Sequence, residues 1–517
     1  MSDTSTLMLQ KSPPAENLPR AVGLVGGGVI GGGWAARFIL NGVNVRLYDP
    51  APNALEQVEV ALKNARRAYR QLTLVTLPPE GSLNLVESLA DAVRDVDLVQ
   101  ESAPEHLEIK QQLLAAAGRA AAPCTLICSS TSGLLPSLMQ AEMDDPACML
   151  VAHPFQPVYL LPLVELCAGT RTAPEALERA AAIYRAVGMH PLVVRKEVDG
   201  FVANRLHEAV AREALWLARD DVASLQEIDD AVRYSWALRR AAIGSYRMAN
   251  GRAGMRESVL RWSFKWPWSR LTEKPDMGPA FLDKVAEQAD ALVKLDPLDI
   301  SPAEKRDDLL VALLQALRSQ RYGPGETLAR WEQGLRSRAP QRVAPDSRPL
   351  RTLREVQHNW IDGNGHASES SYLLLCGDGT GTVVGYIRGN GEDIANSATY
   401  YTVETHLRHL GELRVGERIE VLTQVLGADD KRLHLFHVIK REGDDKPAAT
   451  GEQMLIHVDP KTRRSAPVQS PIRERLMELA RLHAQLPRPE KSGASIKMPW
   501  VGAARSDGDL REMGHGN

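Results

Sequence analysis

Cysteine is scarce: five residues, Cys124, Cys128, Cys148, Cys167 and Cys376, in a chain of 517, with no Cys-x-x-Cys pair. An odd, scattered set argues against a disulfide scaffold and against a structural zinc site. No metal is expected. Aromatic residues are also few, at 5%. An excess of either charge is missing, since 62 basic and 65 acidic residues leave a net charge of −3. A general nucleic-acid binder carries a basic surplus, so nucleic acid is not an expected partner. No apolar run approaches the length of a bilayer span, and the N-terminal MSDTSTLMLQKSPPAENLPR has no apolar signal core. A cytoplasmic enzyme without membrane contact is the expectation. What remains is ordinary for a folded protein, 44% hydrophobic and 25% charged. The length suits about three to four domains.

Organisation follows from pattern changes along the chain. From Arg20, short apolar runs (AVGLV, NVRLYD, DLVQES, TLICSS) alternate with helical spacing. That alternation predicts an α/β domain with a parallel sheet over residues 20–197. Residues 198–322 are mostly helical in period, an all-α second domain. Residues 323–349 are rich in Pro, Gly, Arg and Ser and predict a linker with one short helix around Trp331. Residues 350–487 carry alternating polar and apolar runs parted by GELRVG, GADDK and GDDKP, then the amphipathic RERLMELARLHAQLP. They predict an antiparallel α+β domain. Residues 488–517 have the composition of a disordered tail.

Gly26, Gly28 and Gly31 form G-x-G-x-x-G between an apolar strand and a helical pattern. That context gives the motif its meaning: a tight turn, a close backbone approach to pyrophosphate, and a helix packed on its strand. Asp49 ends the next strand-like run at about the 20-residue spacing of a ribose-binding acid. A carboxylate there accepts from both ribose hydroxyls and repels a 2′-phosphate, so NAD is the expected cofactor.

His153 and Glu165 end two apolar runs in MLVAHPFQPVYLLPLVEL. A histidine takes a hydroxyl proton as hydride leaves the neighbouring carbon, and a carboxylate on its other nitrogen fixes the tautomer. A single histidine beside an apolar strand is more often structural, and both readings stand on spacing alone.

Five motifs in order, VGLVGGGVIGGGWA, DLVQESAPEHLEIK, ICSSTSGL, HPFQPVYLLPLVEL and VDGFVANRL, resemble the 3-hydroxyacyl-CoA dehydrogenase family over residues 20–320. The resemblance implies a Rossmann domain followed by an all-α dimerisation domain, hence a homodimer. It implies His153 as general base, Glu165 as its orienting partner, Ser132 and Asn204 on the reacting oxygen, and Glu105 and Lys110 on the cofactor ribose. The asparagine usual before Thr-Ser in that family is Ser130 here.

In place of the family's P-x-G-P-F segment stands ALRRAAIGSYRMANGRAGMRESVLRWSFKWPWSRL, similar to the L-carnitine dehydrogenase branch. Such an enzyme oxidises a quaternary-ammonium hydroxy acid. Aromatic faces hold a trimethylammonium by cation–π attraction, and Tyr246, Trp266 and Trp268 are the candidates. Arg252 or Arg256 offers a fork for the substrate carboxylate. Packing in a core or dimer interface is the alternative role for each aromatic.

The stretch IDGNGHASESSYL, with the alternating runs after it, resembles the hot-dog thioesterases. The branch is often fused to such a domain, described as a betainyl-CoA thioesterase. The resemblance implies an acyl-CoA partner, Asp362 as nucleophile or base, and the Gly365–His366 backbone as oxyanion donor. Two departures stand out. The asparagine usual after G-H-x is Ser368, and Gly377, Gly379, Gly381 and Gly385 fall where the central helix belongs, predicting an irregular segment. The alternative function is oxidation of another 3-hydroxy acid or its CoA thioester, with a hot-dog domain that is inactive or differently specific.

Overall fold

The computed structural model describes residues 17–73, 75, 77–243, 278–295, 301–338, 347–357, 360–388, 399–459 and 462–494. They form two units, divided between Pro340 and Gln341.

The first unit is built on an eight-stranded sheet of order β3-β2-β1-β4-β5-β6-β7-β8. Its strands are β1 (Ala21–Val25), β2 (Asn44–Tyr48), β3 (Leu83–Leu85), β4 (Leu98–Glu101), β5 (Leu126–Ser129), β6 (Met149–Pro154), β7 (Leu163–Ala168) and β8 (His190–Val194). The first six are parallel in the doubly wound 3-2-1-4-5-6 order, with the switch point between β1 and β4. β7 then runs antiparallel to β6, and β8 parallel to β7. β4, β5 and β6 are buried at every position, which is why they read as unbroken apolar runs.

Helix α1 (Val29–Leu40) is buried from Gly31 to Leu40 and packs Trp34 and Phe38 inside. It also buries Arg37, whose guanidinium donates to the carbonyls of Val158, Leu161, Val187 and Gly188. Burial lowers the pKa of that group from the ordinary arginine value. Those bonds tie α1 to the loop between β6 and β7, through Val158 and Leu161, and to the turn before β8, through Val187 and Gly188. α2 (Ala54–Leu72) covers α1, α4 (Leu107–Ala120) follows β4, and α6 (Pro174–Ala186) leads into β8. Next come α7 (Ala203–Arg219), α8 (Leu225–Arg233), α9 (Trp236–Ile243) and the helix Pro279–Leu295.

The stretch expected to be a linker with one short helix around Trp331 does hold that helix, which packs as core instead of standing in a linker. Residues Pro324–Arg338 form a helix of 15 residues within the first unit. Leu328, Trp331 and Leu335 lie on one face and join the Rossmann core. Trp331 Nε1 donates to Asn41 Oδ1 at 2.8 Å, and its ring meets Tyr69 edge-on at 5.3 Å. Buried Glu332 accepts from Thr73 at 2.8 Å and from Arg318 at 2.6 Å. The flanking Pro, Gly and Arg residues hid a short apolar period that only a partner surface gives meaning.

The second unit is an antiparallel five-stranded sheet of order β10-β13-β12-β11-β9. The strands are β9 (Leu350–Glu355), β10 (Thr399–His409), β11 (Arg418–Ala428), β12 (Arg432–Arg441) and β13 (Pro447–Val458). The expected irregular segment is instead a continuous helix of 20 residues, Glu369–Arg388. Its buried face, Tyr372, Leu375, Cys376, Gly379, Val383 and Ile387, keeps a three-and-four spacing. Gly379 is there because the helix axis comes close to the sheet. A Cβ at 379 would stand 2.5 Å from Thr423 Oγ1 and 2.7 Å from His437 Nδ1. Gly377 and Gly381 meet nothing within 4 Å. Tertiary packing outweighs the propensity cost. The helix Ile472–His483 closes the other end of this core with Leu476 and Leu479. The expected tail is ordered at its start, where Gly493 N–H donates to Glu452 at 2.7 Å.

Candidate active sites

The dinucleotide turn follows β1. Gly26 takes a φ of 102°, and a Cβ there would lie 2.6 Å from Ser102 O. A Cβ at Gly31 would lie 1.9 Å from Gly26 O, so only glycine lets α1 start so close to the turn. A Cβ at Gly28 meets nothing within 4 Å, and this is the position at which backbone approaches a ligand. Gly28 is also the N-cap of α1, with no side-chain cap and no acid in the first turn. The helix end is thus left positive for an anion. Asp49 is drawn to the same turn: Oδ2 accepts from Gly27 N at 2.6 Å and Oδ1 from Ala51 N at 2.7 Å. The turn, the bare helix end and the acid fit a dinucleotide.

His153 and Glu165 face each other directly in the antiparallel β6–β7 register. His153 Nδ1 lies 2.9 Å from Glu165 Oε2, and the residues are 5% and 0% exposed. Glu165 Oε1 accepts from Val202 N at 3.0 Å and Ala203 N at 2.9 Å, the backbone that opens α7. Asn204, one residue on, donates from Nδ2 to Ser132 O at 3.0 Å. The four residues read from sequence therefore form one connected set. With Nδ1 committed to the carboxylate, Nε2 is the nitrogen left to exchange a proton. Phe155 and Phe201 flank the imidazole at 4.8 and 5.7 Å.

Glu105 sits under the Thr131–Gly133 turn. Its Oε1 accepts from Thr131 Oγ1 at 2.6 Å, Ser132 N at 2.9 Å and Ser132 Oγ at 3.3 Å. Burial pushes this carboxyl up, but the bonds from Thr131 and Ser132 and the nearby Lys110 outweigh it, leaving it below the usual carboxylate range. Lys110 is 1% exposed, and its ammonium holds Glu101 at 2.7 Å, Ala103 O at 3.0 Å and Glu105 at 3.5 Å. Sequence reasoning missed Glu101. It ends β4, is 1% exposed, and also accepts from Ser129 and from Ala103 N. The signal was present: an acid closing a buried strand needs a buried cation. Tyr246, Arg252, Arg256, Trp266 and Trp268 lie outside the described residues.

In the second unit, Asp362 is exposed on the turn that precedes the helix Glu369–Arg388. Its Oδ1 accepts from Asn364 N at 2.8 Å. Gly365, at φ 82°, gives its N–H to Asp362 O at 3.1 Å, so that group serves the turn instead of facing outward. The helix starts three residues after His366, not at it. His366 Nε2 pairs with Glu412 at 2.9 Å, a partner the motif did not announce. Ser368, at the departure from the asparagine pattern, bonds Ser370 and Ser371, each at 2.9 Å. Below the helix, His437 is 0% exposed among Thr423 at 2.9 Å, Gln453 at 3.2 Å and Thr380 at 3.4 Å. Burial drives its pKa down to about 4, against the bond that Nε2 gives to Gln453 Oε1. Among the described residues, no group of three metal-ligating side chains comes together.

A parallel nucleotide-binding sheet with a histidine–carboxylate pair at its rim, followed by an α+β hot-dog unit, defines a dinucleotide-dependent dehydrogenase joined to a thioesterase-like domain. Residues 21–198 match the 3-hydroxyacyl-CoA dehydrogenase NAD-binding domain, 200–274 its C-terminal domain, and 356–476 the thioesterase-like superfamily. The chain is 41% identical over 485 residues to the L-carnitine dehydrogenase/betainyl-CoA thioesterase of Rhizobium meliloti (strain 1021), covering 91% of this chain and 97% of that protein. The L-carnitine dehydrogenase of Mesorhizobium japonicum is 46% identical over 308 residues, 58% of this chain and 84% of that protein. That of Pseudomonas aeruginosa is 44% identical over 311 residues, 59% and 96% respectively. The chain belongs to the L-carnitine dehydrogenase/betainyl-CoA thioesterase family.

Proposed function

We propose that the first unit oxidises the 3-hydroxyl of L-carnitine to 3-dehydrocarnitine, and that the second hydrolyses betainyl-CoA. The observation that carries the first half is the His153–Glu165 pair, tied through the start of α7 to Asn204 and Ser132. NAD, held at Gly26, Gly28 and Gly31 and favoured over NADP by Asp49, supplies the hydride acceptor. The chain's own work is proton handling and placement. His153 Nε2 takes the hydroxyl proton, and Glu165 holds the Nδ1 proton and stabilises the imidazolium. Ser132 and Asn204 hold the reacting oxygen. Glu105 keeps the Ser132 turn in place, and Lys110, itself held by Glu101, pairs with Glu105. Asp362 activates water or attacks the thioester carbonyl in the second unit.

Large apolar side chains exposed on the helical segment, Leu206 at 65% and Leu238 at 66%, support a homodimer. No helix among the described residues is long and apolar enough to cross a membrane, in keeping with a cytoplasmic site of action.

The test is NAD reduction at alkaline pH with L-carnitine, D-carnitine, 3-hydroxybutyrate and 3-hydroxybutyryl-CoA in parallel. Turnover of L-carnitine alone is expected, and turnover of the CoA ester instead would sink the substrate assignment. Thiol release from betainyl-CoA, lost in Asp362→Asn, tests the second half.

A further inference from the structure

The glycine turn lies against the end of β4, where a chain of buried polar groups finishes at Ser102. Tyr184, on α6, donates its O–H to Gln100 Oε1. That bond orients the amide, so Gln100 Nε2 donates to Ser130 Oγ at 2.8 Å. Trp34 Nε1, which can only donate, reaches the same oxygen at 3.1 Å. Ser130 Oγ thus accepts twice, which uses both of its lone pairs. Its own proton is left for its remaining partner, Ser102 Oγ, at 2.9 Å. Trp34, Gln100 and Tyr184 are each 0% exposed, so water does not compete on the way to Ser130, which like Ser102 is half-buried.

The direction of every proton is therefore set, and Ser102 receives a hydrogen bond and keeps one to give. Among the described residues no acceptor takes it. Ser102 is half-buried and packs on the turn itself. Its carbonyl oxygen lies 2.6 Å from where a Gly26 Cβ would stand, and its Cβ 3.6 Å from where a Gly31 Cβ would stand. A pyrophosphate at such a turn is rich in acceptors and has no proton to offer.

We propose that Ser102 donates a hydrogen bond to the pyrophosphate of the dinucleotide, with Ser130, Gln100 and Tyr184 as positioning residues that fix the direction of that proton. The proposal rests on the reading of the glycine turn as a nucleotide site. It also gives the departure at Ser130 a role. A serine at 130, in place of the asparagine that the resembled family carries there, hands the donor on to residue 102. A donor aimed before the ligand arrives loses less freedom on binding than a hydroxyl that must be ordered.

The experiment is a fluorescence titration of the full chain with NADH, with ADP as competitor, since ADP keeps the pyrophosphate and lacks the distal ribose. Ser102→Ala is expected to weaken both ligands about tenfold, the scale of one hydrogen bond to a charged acceptor. Tyr184→Phe frees the amide and is expected to weaken both ligands about two- to threefold. The double variant should bind no worse than Ser102→Ala alone, because both act through one proton. Unchanged affinity in Ser102→Ala overturns the proposal, as does a loss confined to NADH, which would put the hydroxyl on the distal ribose. Additive losses overturn the relay. A wild-type chain that binds neither ligand overturns the nucleotide-site reading itself, a result distinct from the others.

Discussion

Glycine has opposite meanings in the two units. In the Rossmann unit Gly26, Gly28 and Gly31 lie within six positions of one another, and each has a local reason that the motif states in advance. In the hot-dog unit Gly377, Gly379 and Gly381 stand equally close in sequence, yet only Gly379 is demanded by the fold, and by atoms more than forty residues away. Buried polar chemistry differs in the same manner. The dehydrogenase site buries ions with their partners, Glu165 with His153 and Glu101 with Lys110. The hot-dog core buries the uncharged His437 among Thr423, Gln453 and Thr380. One unit keeps its buried carboxyl groups beside basic partners. The other keeps a polar cluster inside that does not ionise near neutral pH.

The widest separation of the units comes from His153→Ala. Dehydrogenase turnover should fall roughly 10²–10⁴-fold, with NADH affinity by titration and thioester hydrolysis unchanged. A collapse of NADH binding would remove the catalytic assignment. Acid should distinguish the units next. The folded pKa of His437, about 4, lies below the ordinary histidine value, so the unfolded chain binds this proton more readily. Stability from this group is therefore complete above about pH 6.5 and is lost as pH falls toward 4, by at most about 3 kcal/mol. Urea unfolding at pH 7 and pH 5 should show the loss in the hot-dog transition, and His437→Gln should flatten it.

Glycine substitution sharpens the contrast inside one helix. Gly379→Ala drives a methyl into Thr423 and His437 and should destabilise the second unit by about 1–3 kcal/mol. Gly377→Ala, facing open space, should stabilise it by about 0.5–1 kcal/mol. Thermal melts of the two variants that shift in the same direction would refute the packing account.

What was legible in the sequence follows the same division. The parallel sheet, the glycine turn and Asp49 depend on short-range signals; the roles of Ser132, His153, Glu165 and Asn204 came with the family resemblance, and the structure joins these four through hydrogen bonds. The helix Glu369–Arg388 was hidden because glycine propensity is read one residue at a time, whereas Tyr372, Leu375, Val383 and Ile387 are paid back only against the sheet. The helix around Trp331 was legible, but its place in the first core was not, because Trp331 needs Asn41 and Tyr69 to become a core residue. The Ser102–Ser130–Gln100–Tyr184 chain spans two strand ends and a helix, so no local window contains it.

The helix Pro324–Arg338 bears on how such a chain can arise. Its Leu328, Trp331 and Leu335 complete the core of the first unit before the second begins. A gene ending just past Arg338 would still encode a dehydrogenase with its interior sealed. The matches to the L-carnitine dehydrogenases of Mesorhizobium japonicum and Pseudomonas aeruginosa cover 58% and 59% of the chain's length. The junction is a place where a coding sequence can be spliced or severed without exposing the interior of the module upstream.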